Sequence, residues 1–230
     1  MQTMLRDMRP REFENIVAGV SLYRPGPLQF IPDYNRRLHG EEETQYLHPK
    51  LEPIVGVTYG ILVYQEQIMQ VARDLFGYRL GEADLMRRAV SKKKKEDLDK
   101  HRLIFKQRGP ENDIDEEIAD KIFDQIDFFA NYGFNKAHAA DYAVLSVQTA
   151  FLKCHYPHEY MAALLTVQRD ASDKVAVFLE DCRRMQIPIL PPDVNSSDVN
   201  FTIEDLSDGR RGIRFGLVAI KNAGEGAVRP

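Results

Sequence analysis

Ile68, Val71, Ala72, Leu75 and Phe76 stand at i, i+3, i+4, i+7 and i+8. That is the spacing of one buried face of an α-helix. Gly77 follows as the residue able to turn the chain out of it. The spacing predicts a helix over 61–76, with Tyr64, Gln65 and Gln67 at its start either packed or facing a ligand. The same period recurs along the 230-residue chain. It predicts helices over Met1–Leu5 and Phe13–Val20, separated by Pro10. Further helices follow over Gly81–Val90, with Leu85, Met86, Ala89 and Val90 as the apolar stripe, and over Glu96–Gln107. Ile118, Ile122 and Ile126 mark the next. Ala139, Ala140, Ala143, Val144, Val147 and Phe151 give an apolar face to another, and Pro157–Leu165 and Lys174–Met185 are the last two.

Other stretches refuse the helical period. Leu22 to Leu28 holds two prolines around a glycine and reads as a stiff extended loop. It is either a connector or a loop lining a site; Arg24 favours the second, because a rigid loop presents a charge well. Arg36, Arg37 and His39 lie in a polar region read as loop to about Leu51. Ile187 to Asp193 reads as extended linker. Phe201-Thr202-Ile203 and Ile213 to Leu217 predict two short strands joined through Ser207-Asp208-Gly209. The fold class is therefore mainly α: a multi-helix domain over residues 1–167, then a small α+β piece over 168–230 with a short β-hairpin.

Composition excludes several classes. Hydrophobic residues make up 43%, enough for a packed core. There is no run of about 18 apolar residues, so no membrane partner is read. Met1 to Arg11 is mixed and charged, so no secretory leader is read there. The two cysteines, Cys154 and Cys182, fit a reducing cytosol rather than a disulfide framework. Cys154-His155-Tyr156-Pro157-His158 has no second ligand cluster at zinc spacing, so no metal is assigned.

The net charge of −4 argues against a generally basic nucleic-acid binder, yet the charge is uneven. Between Arg79 and Arg108 stand eleven Lys and Arg against five Asp and Glu, a local surplus of six positive charges. Such a stripe in an acidic chain suggests a directed contact. Arg87 and Arg88 suit phosphate, since each guanidinium can bind two oxygens in a fork. Lys92, Lys93, Lys94 and Lys95 form either a solvated face or a contact to a nucleic-acid backbone. Further on, Gly133 ends one helix and Asn135 is the predicted N-cap of the next. Lys136 and His138 then oppose the dipole of that helix start, so an anion contact is the expected reason for them. For His138 alone, a plain surface histidine is the alternative. Asp113 and Asp115 are spaced for a metal pair on a strand, but Glu116 and Glu117 follow in helical register. The pair is read as first-turn charge offsetting the dipole. Gly224 and Gly226 after Ile220 suggest a hairpin that admits DNA phosphates to backbone N–H groups. The chain is expected to stop before a second helix there.

Five stretches together carry a resemblance. They are Tyr23-Arg24-Pro25-Gly26-Pro27-Leu28, Thr58 to Met69, Asp84-Leu85-Met86-Arg87-Arg88-Ala89, Gly133-Phe134-Asn135-Lys136-Ala137-His138 and Ile189-Leu190-Pro191-Pro192-Asp193. In this order they resemble the bacterial replicative DNA polymerase III alpha subunits (C-family polymerases), over nearly the whole chain. The resemblance implies a fingers domain followed by the start of a helix-hairpin-helix region. It implies template-directed nucleotidyl transfer in chromosomal replication, driven by Mg2+ ions on palm aspartates that lie before the matched region. Asp113 and Asp115 do not match those aspartates. No catalytic residue, metal or cofactor is therefore assigned to this segment, and it is expected to be inactive alone.

The resemblance also implies roles and partners. Arg87 and Arg88 would contact the incoming triphosphate. Asn135, Lys136 and His138 would lie beside the nucleotide, with His138 at the sugar 2′ position. Arg24 would join the fingers to the active site, and Lys92 to Lys95 would meet DNA backbone or solvent. The implied partners are template–primer DNA, a dNTP, the palm and thumb of the same polymerase, and the sliding clamp and other replicase subunits through the full-length protein. The implied location is the bacterial cytoplasm, with the nucleoid. The alternative from another class is a non-enzymatic helix-hairpin-helix accessory module that only binds DNA.

Overall fold

The structure is a computed structural model describing residues 1–92, 95–129 and 132–228. Lys93, Lys94 and the side chain of Lys95, three of the cations singled out above, lie outside the described residues. The chain divides into two packed units, Met1–Leu145 and Ser146–Pro230.

In the first unit, α1 (Gln2–Met8) buries Met4 and Met8 and ends at Arg9, whose left-handed φ of 44° turns the chain away. α2 (Phe13–Leu22) is started by Asn15, whose Oδ1 accepts from the Arg11 and Glu12 N–H groups. α3 (Ile31–Leu38) corrects the loop expected around Arg36 and Arg37. Only Ile31 and Tyr34 are buried there, too few to show a period. The arginines lie in its last turn and pair with Glu42 at 2.8–2.9 Å. α4 (Glu52–Val55) is a single turn.

α5 (Gln65–Phe76) starts later than its periodicity extends. Ile61, Leu62 and Val63 are buried but extended, not helical. The cause is Gln67. Its Oε1 accepts from the Val63 and Tyr64 N–H groups, and its Nε2 donates to Ile54 O and Thr58 Oγ1. A fully buried amide with both ends satisfied fixes the helix start by hydrogen bonding. Gln67 is therefore structural. Gly77, at φ 63°, closes the helix as expected.

α6 (Leu80–Ser91) buries Ala83, Met86 and Val90. Leu85, predicted in that stripe, is exposed. α7 (Lys95–Arg108) and α8 (Glu116–Phe129) pack on each other, with Phe105 stacked on Phe76 at 3.9 Å and edge-on to Phe123 at 5.1 Å. α9 (Lys136–His155) begins in this unit and buries Ala139 and Ala143. Further along, Val144, Leu145, Val147, Phe151 and Leu152 are exposed, so the predicted apolar face is only partly covered.

In the second unit, α10 (Pro157–Val167) and α11 (Ser172–Arg184) pack on a three-stranded sheet of order β1-β3-β2. β2 (Thr202–Asp205) and β3 (Arg211–Arg214) form the predicted antiparallel hairpin, with Ile203 opposite Ile213. β1 (Ile189–Leu190) lies in the stretch read as linker and pairs parallel to β3. Two residues between prolines are too short for a strand pattern, and the Pro188 and Leu190 carbonyls supply acceptors that need no proline N–H. Met161, Leu165, Cys182 and Ile213 form the core. By packing, α10 belongs to this unit; residue 167, where the sequence reading divided the chain, is its last residue. α12 (Glu225–Val228) is a single helical turn that begins after Gly224 and contains Gly226. The architecture is mainly α with one small sheet.

Candidate functional site

The site is built around one contact in the first unit. Tyr64, just before α5, pairs in a parallel bridge with Phe134, just before α9. Phe134 N–H donates to Val63 O at 3.0 Å and Gln65 N–H donates to Phe134 O at 2.9 Å. The two helix starts are thus held side by side. The Tyr64 ring is fully buried, and burial pushes its phenol well above the ordinary range, so it stays neutral. Its hydroxyl finds no hydrogen-bond partner among the described residues.

Asn135 is the N-cap of α9, as expected: its Oδ1 accepts from His138 N–H at 2.8 Å. Its Nδ2 donates to Glu66 Oε1 at 3.0 Å, and Lys136 N–H donates to Glu66 Oε2 at 3.0 Å. The Lys136 ammonium lies 3.2 Å from Glu14 Oε2 and 5.4 Å over the Tyr64 ring. Lys136 therefore has internal carboxylates beside it. Glu66 supplies negative charge at this helix start, and Glu14 supplies a partner for Lys136. The His138 ring packs between Phe134 at 5.5 Å and the edge of Tyr142 at 4.8 Å.

Arg24 donates from Nε to Ser21 O at 2.9 Å and from Nη2 to Tyr132 O at 2.5 Å. Its guanidinium also covers the Phe134 ring at 4.4 Å. Burial lowers its pKa from the usual arginine range. It thus braces the loop that precedes α9. Gly26, two residues on, sits at φ 96°, and a side-chain carbon there would meet the Tyr132 ring at 2.3 Å. This is a position only glycine fills without strain.

The paired arginines of α6 differ from each other. Arg87 donates from Nη2 to Asp84 Oδ1 at 2.8 Å and from Nη1 to Gln65 Oε1 at 3.2 Å, and its side chain is 18% exposed. Arg88 touches Asp84 Oδ2 at 2.9 Å, yet its side chain is 64% exposed. The hydrogen bond from Arg87, with the charge of Arg88 beside it, holds the Asp84 carboxyl below its ordinary range. One carboxylate thus faces both guanidiniums and leaves Arg88 mostly open to solvent.

Arg24, Asn135, Lys136 and His138 therefore gather at the start of α9. Arg87 is linked to them through Gln65, whose Nε2 donates to Gly133 O at 3.1 Å. Arg88 shares the helix of Arg87 but points outward. Lys92 closes α6 and is exposed. Sequence reasoning missed Glu14, Glu66 and Asp84. Only Asp84 carried a local signal, its i, i+3 and i, i+4 spacing to Arg87 and Arg88.

Asp113 takes a left-handed φ of 59° after a short helical turn and lies 3.5 Å from Lys50. Asp115 directly precedes α8, and its backbone carbonyl accepts from Ala119 N–H at 2.8 Å, the first hydrogen bond of the helix. Among the described residues no group of three or more His, Cys, Asp and Glu could hold a metal ion. No helix among the described residues is long and apolar enough to cross a membrane. In the second unit Cys182 is a free thiol, pushed up to about 11 by burial and the nearby Asp181 charge.

Residues 1–113 match the family described as bacterial DNA polymerase III alpha subunit finger domain, and residues 186–230 match a helix-hairpin-helix motif. The chain is 52% identical over 234 residues to the DNA polymerase III subunit alpha of Thermus aquaticus, covering 100% of this chain and 19% of that protein. It is 50% identical over 229 residues to the subunit from Neisseria meningitidis, covering 99% of this chain and 20% of the relative. The Escherichia coli K12 subunit is 46% identical over 235 residues, with the same two shares. The chain therefore spans about a fifth of the length of these relatives. It belongs to the family of bacterial DNA polymerase III alpha subunits, of which it represents the finger region and a helix-hairpin-helix motif.

Proposed function

We propose that this segment binds the incoming dNTP and the template–primer for a DNA-directed DNA polymerase in bacterial chromosomal replication. One observation carries the reading. Arg88 presents a largely exposed guanidinium on α6 while Arg87 beside it is pinned to Gln65. A fixed helix with one open fork-shaped cation suits the triphosphate, whose leaving group gains negative charge during transfer. Asn135, Lys136 and His138 at the start of α9 receive the rest of the nucleotide, with His138 toward the sugar. Arg24 holds the loop before them.

The exposed Lys92, with Lys93, Lys94 and Lys95 after it, meets the DNA backbone in this reading, a contact blind to sequence and weakened by salt. Residues 1–167 serve as the fingers, and 168–230 lead into the helix-hairpin-helix region. The chemistry and its Mg2+ ions belong to the palm of the same polymerase, so the segment alone is inactive. The palm and thumb, the sliding clamp and the other replicase subunits are partners of the whole protein. The work is done in the bacterial cytoplasm, at the nucleoid.

A second reading follows from the match over residues 186–230: an accessory module that binds DNA only. Single-turnover incorporation by a full-length alpha subunit containing this segment separates the two. Arg88→Ala is expected to cost about 1.5–3 kcal/mol in rate over nucleotide affinity, the scale of a charge-assisted hydrogen bond, with DNA affinity nearly unchanged. Normal incorporation with DNA binding that weakens steeply with salt would favour the accessory module.

A further inference from the structure

Gln65 and Glu66, adjacent at the start of α5, link Arg87 of α6 to the loop before α9 and to its first turn. Gln65 makes three hydrogen bonds to it. Its N–H donates to Phe134 O at 2.9 Å, its Nε2 donates to Gly133 O at 3.1 Å, and its Oε1 accepts from Arg87 Nη1 at 3.2 Å. A side-chain carbon on Gly133 would lie 3.2 Å from Gln65 Cγ, so the loop passes against the amide with little slack. Glu66 then holds the Asn135 side chain and the Lys136 N–H, one with each carboxylate oxygen. The two side chains therefore fix both the loop and the first turn of α9 against Arg87.

We propose that Gln65 and Glu66 are positioning residues that set the distance between the triphosphate contact on α6 and the sugar contact at the start of α9. This rests on the nucleotide reading above and adds to it the means of sugar selection. A nucleotide bridging two helices is read correctly only if their separation is fixed. Freeing that separation leaves the triphosphate bound but loosens the fit of the sugar. A misplacement on the order of 1 Å away from the chemistry is enough to change rates strongly. The triphosphate is common to dNTPs and rNTPs, so loss of a phosphate contact alone leaves their ratio unchanged. Loss of positioning changes the ratio.

The test is kcat/KM for a dNTP and the matching rNTP in a full-length alpha subunit containing this segment. Gln65→Leu is expected to narrow the dNTP preference by about tenfold, and Glu66→Gln by a smaller factor in the same direction. Arg88→Ala is expected to lower both rates with the ratio intact. Should Gln65→Leu fail to fold, Gln65→Glu reads the same ratio, because it keeps the acceptor for Arg87 and loses the donor to Gly133. An unchanged ratio in the folded Gln65 and Glu66 variants, with only a lower melting temperature, would overturn the proposal and leave both as structural residues. If Arg88→Ala left dNTP incorporation untouched, the nucleotide reading itself would fall, and this inference with it.

Discussion

The two helices that carry the cations of the site neutralise them in different ways. On α6, Asp84 pairs with Arg87 and Arg88 from within the same helix, three and four residues away. At the start of α9, the partners come from far along the chain: Glu14 for Lys136, and Glu66 for the Asn135 side chain and the Lys136 N–H. The Asp84–Arg88 pair, with Arg88 largely in solvent, is screened by water and contributes little to the fold. A carboxylate that reaches across the fold to a helix start satisfies backbone groups that have no partner in the helix. The first arrangement tunes charge on a surface. The second ties separate elements together.

Three measurements sharpen or break that contrast. Glu66→Ala removes two hydrogen bonds at once and leaves the Lys136 N–H without its partner. It is expected to cost about 1–3 kcal/mol in urea unfolding. A loss below that range would mean that the cross-fold contact does not hold α9 in place. Asp84→Asn is expected to cost clearly less than Glu66→Ala in the same assay, because its partners lie three and four residues away in the same helix and one of them, Arg88, is largely in solvent. If the two costs were equal, the distinction between local and distant pairing would fail.

The smallest effect is confined to acid. Tyr78, a residue before α6, contacts His101 of α7, its hydroxyl 3.0 Å from Nδ1. Burial, with the nearby Lys100 charge, lowers the His101 pKa from its usual 6.5. The folded chain thus favours the neutral ring. Its contribution is full above about pH 6.5 and is lost as pH falls through the lower folded value, because the unfolded chain binds the proton first. His101→Gln is expected to flatten this acid limb of a stability–pH curve. An unchanged limb would mean that the distant contact is not coupled to folding.

What was legible in the sequence follows the same division. α5, α6 and the β2–β3 hairpin announced themselves, because their patterns lie within a few residues. The Asn135 cap was legible for the same reason. α3 was not, since only Ile31 and Tyr34 turn inward, and β1 was not, being two residues between prolines. The true start of α5 was hidden because buried extended residues at 61–63 continue an apolar run, and only the contacts of Gln67 mark the boundary. Of the site, the cations were legible as types and positions. Their anchors were not, because Glu14, Glu66 and the Gln65 relay act between residues whose order along the chain says nothing of their distance. The exposed second half of the α9 face shows the converse: helical spacing predicts an apolar stripe but not whether anything covers it.

The most direct test of the two-helix reading is photo-crosslinking in a full-length alpha subunit containing this segment, held with template–primer. One dNTP carries an aryl azide on the γ-phosphate, and another carries the reporter on the sugar. The expected adducts map to Leu80–Ser91 for the γ label and to the peptide spanning Tyr132–Tyr142 for the sugar label. Arg88→Ala is expected to weaken the first adduct and leave the second. Adducts from both labels outside these two stretches, with the DNA still bound, would contradict the account.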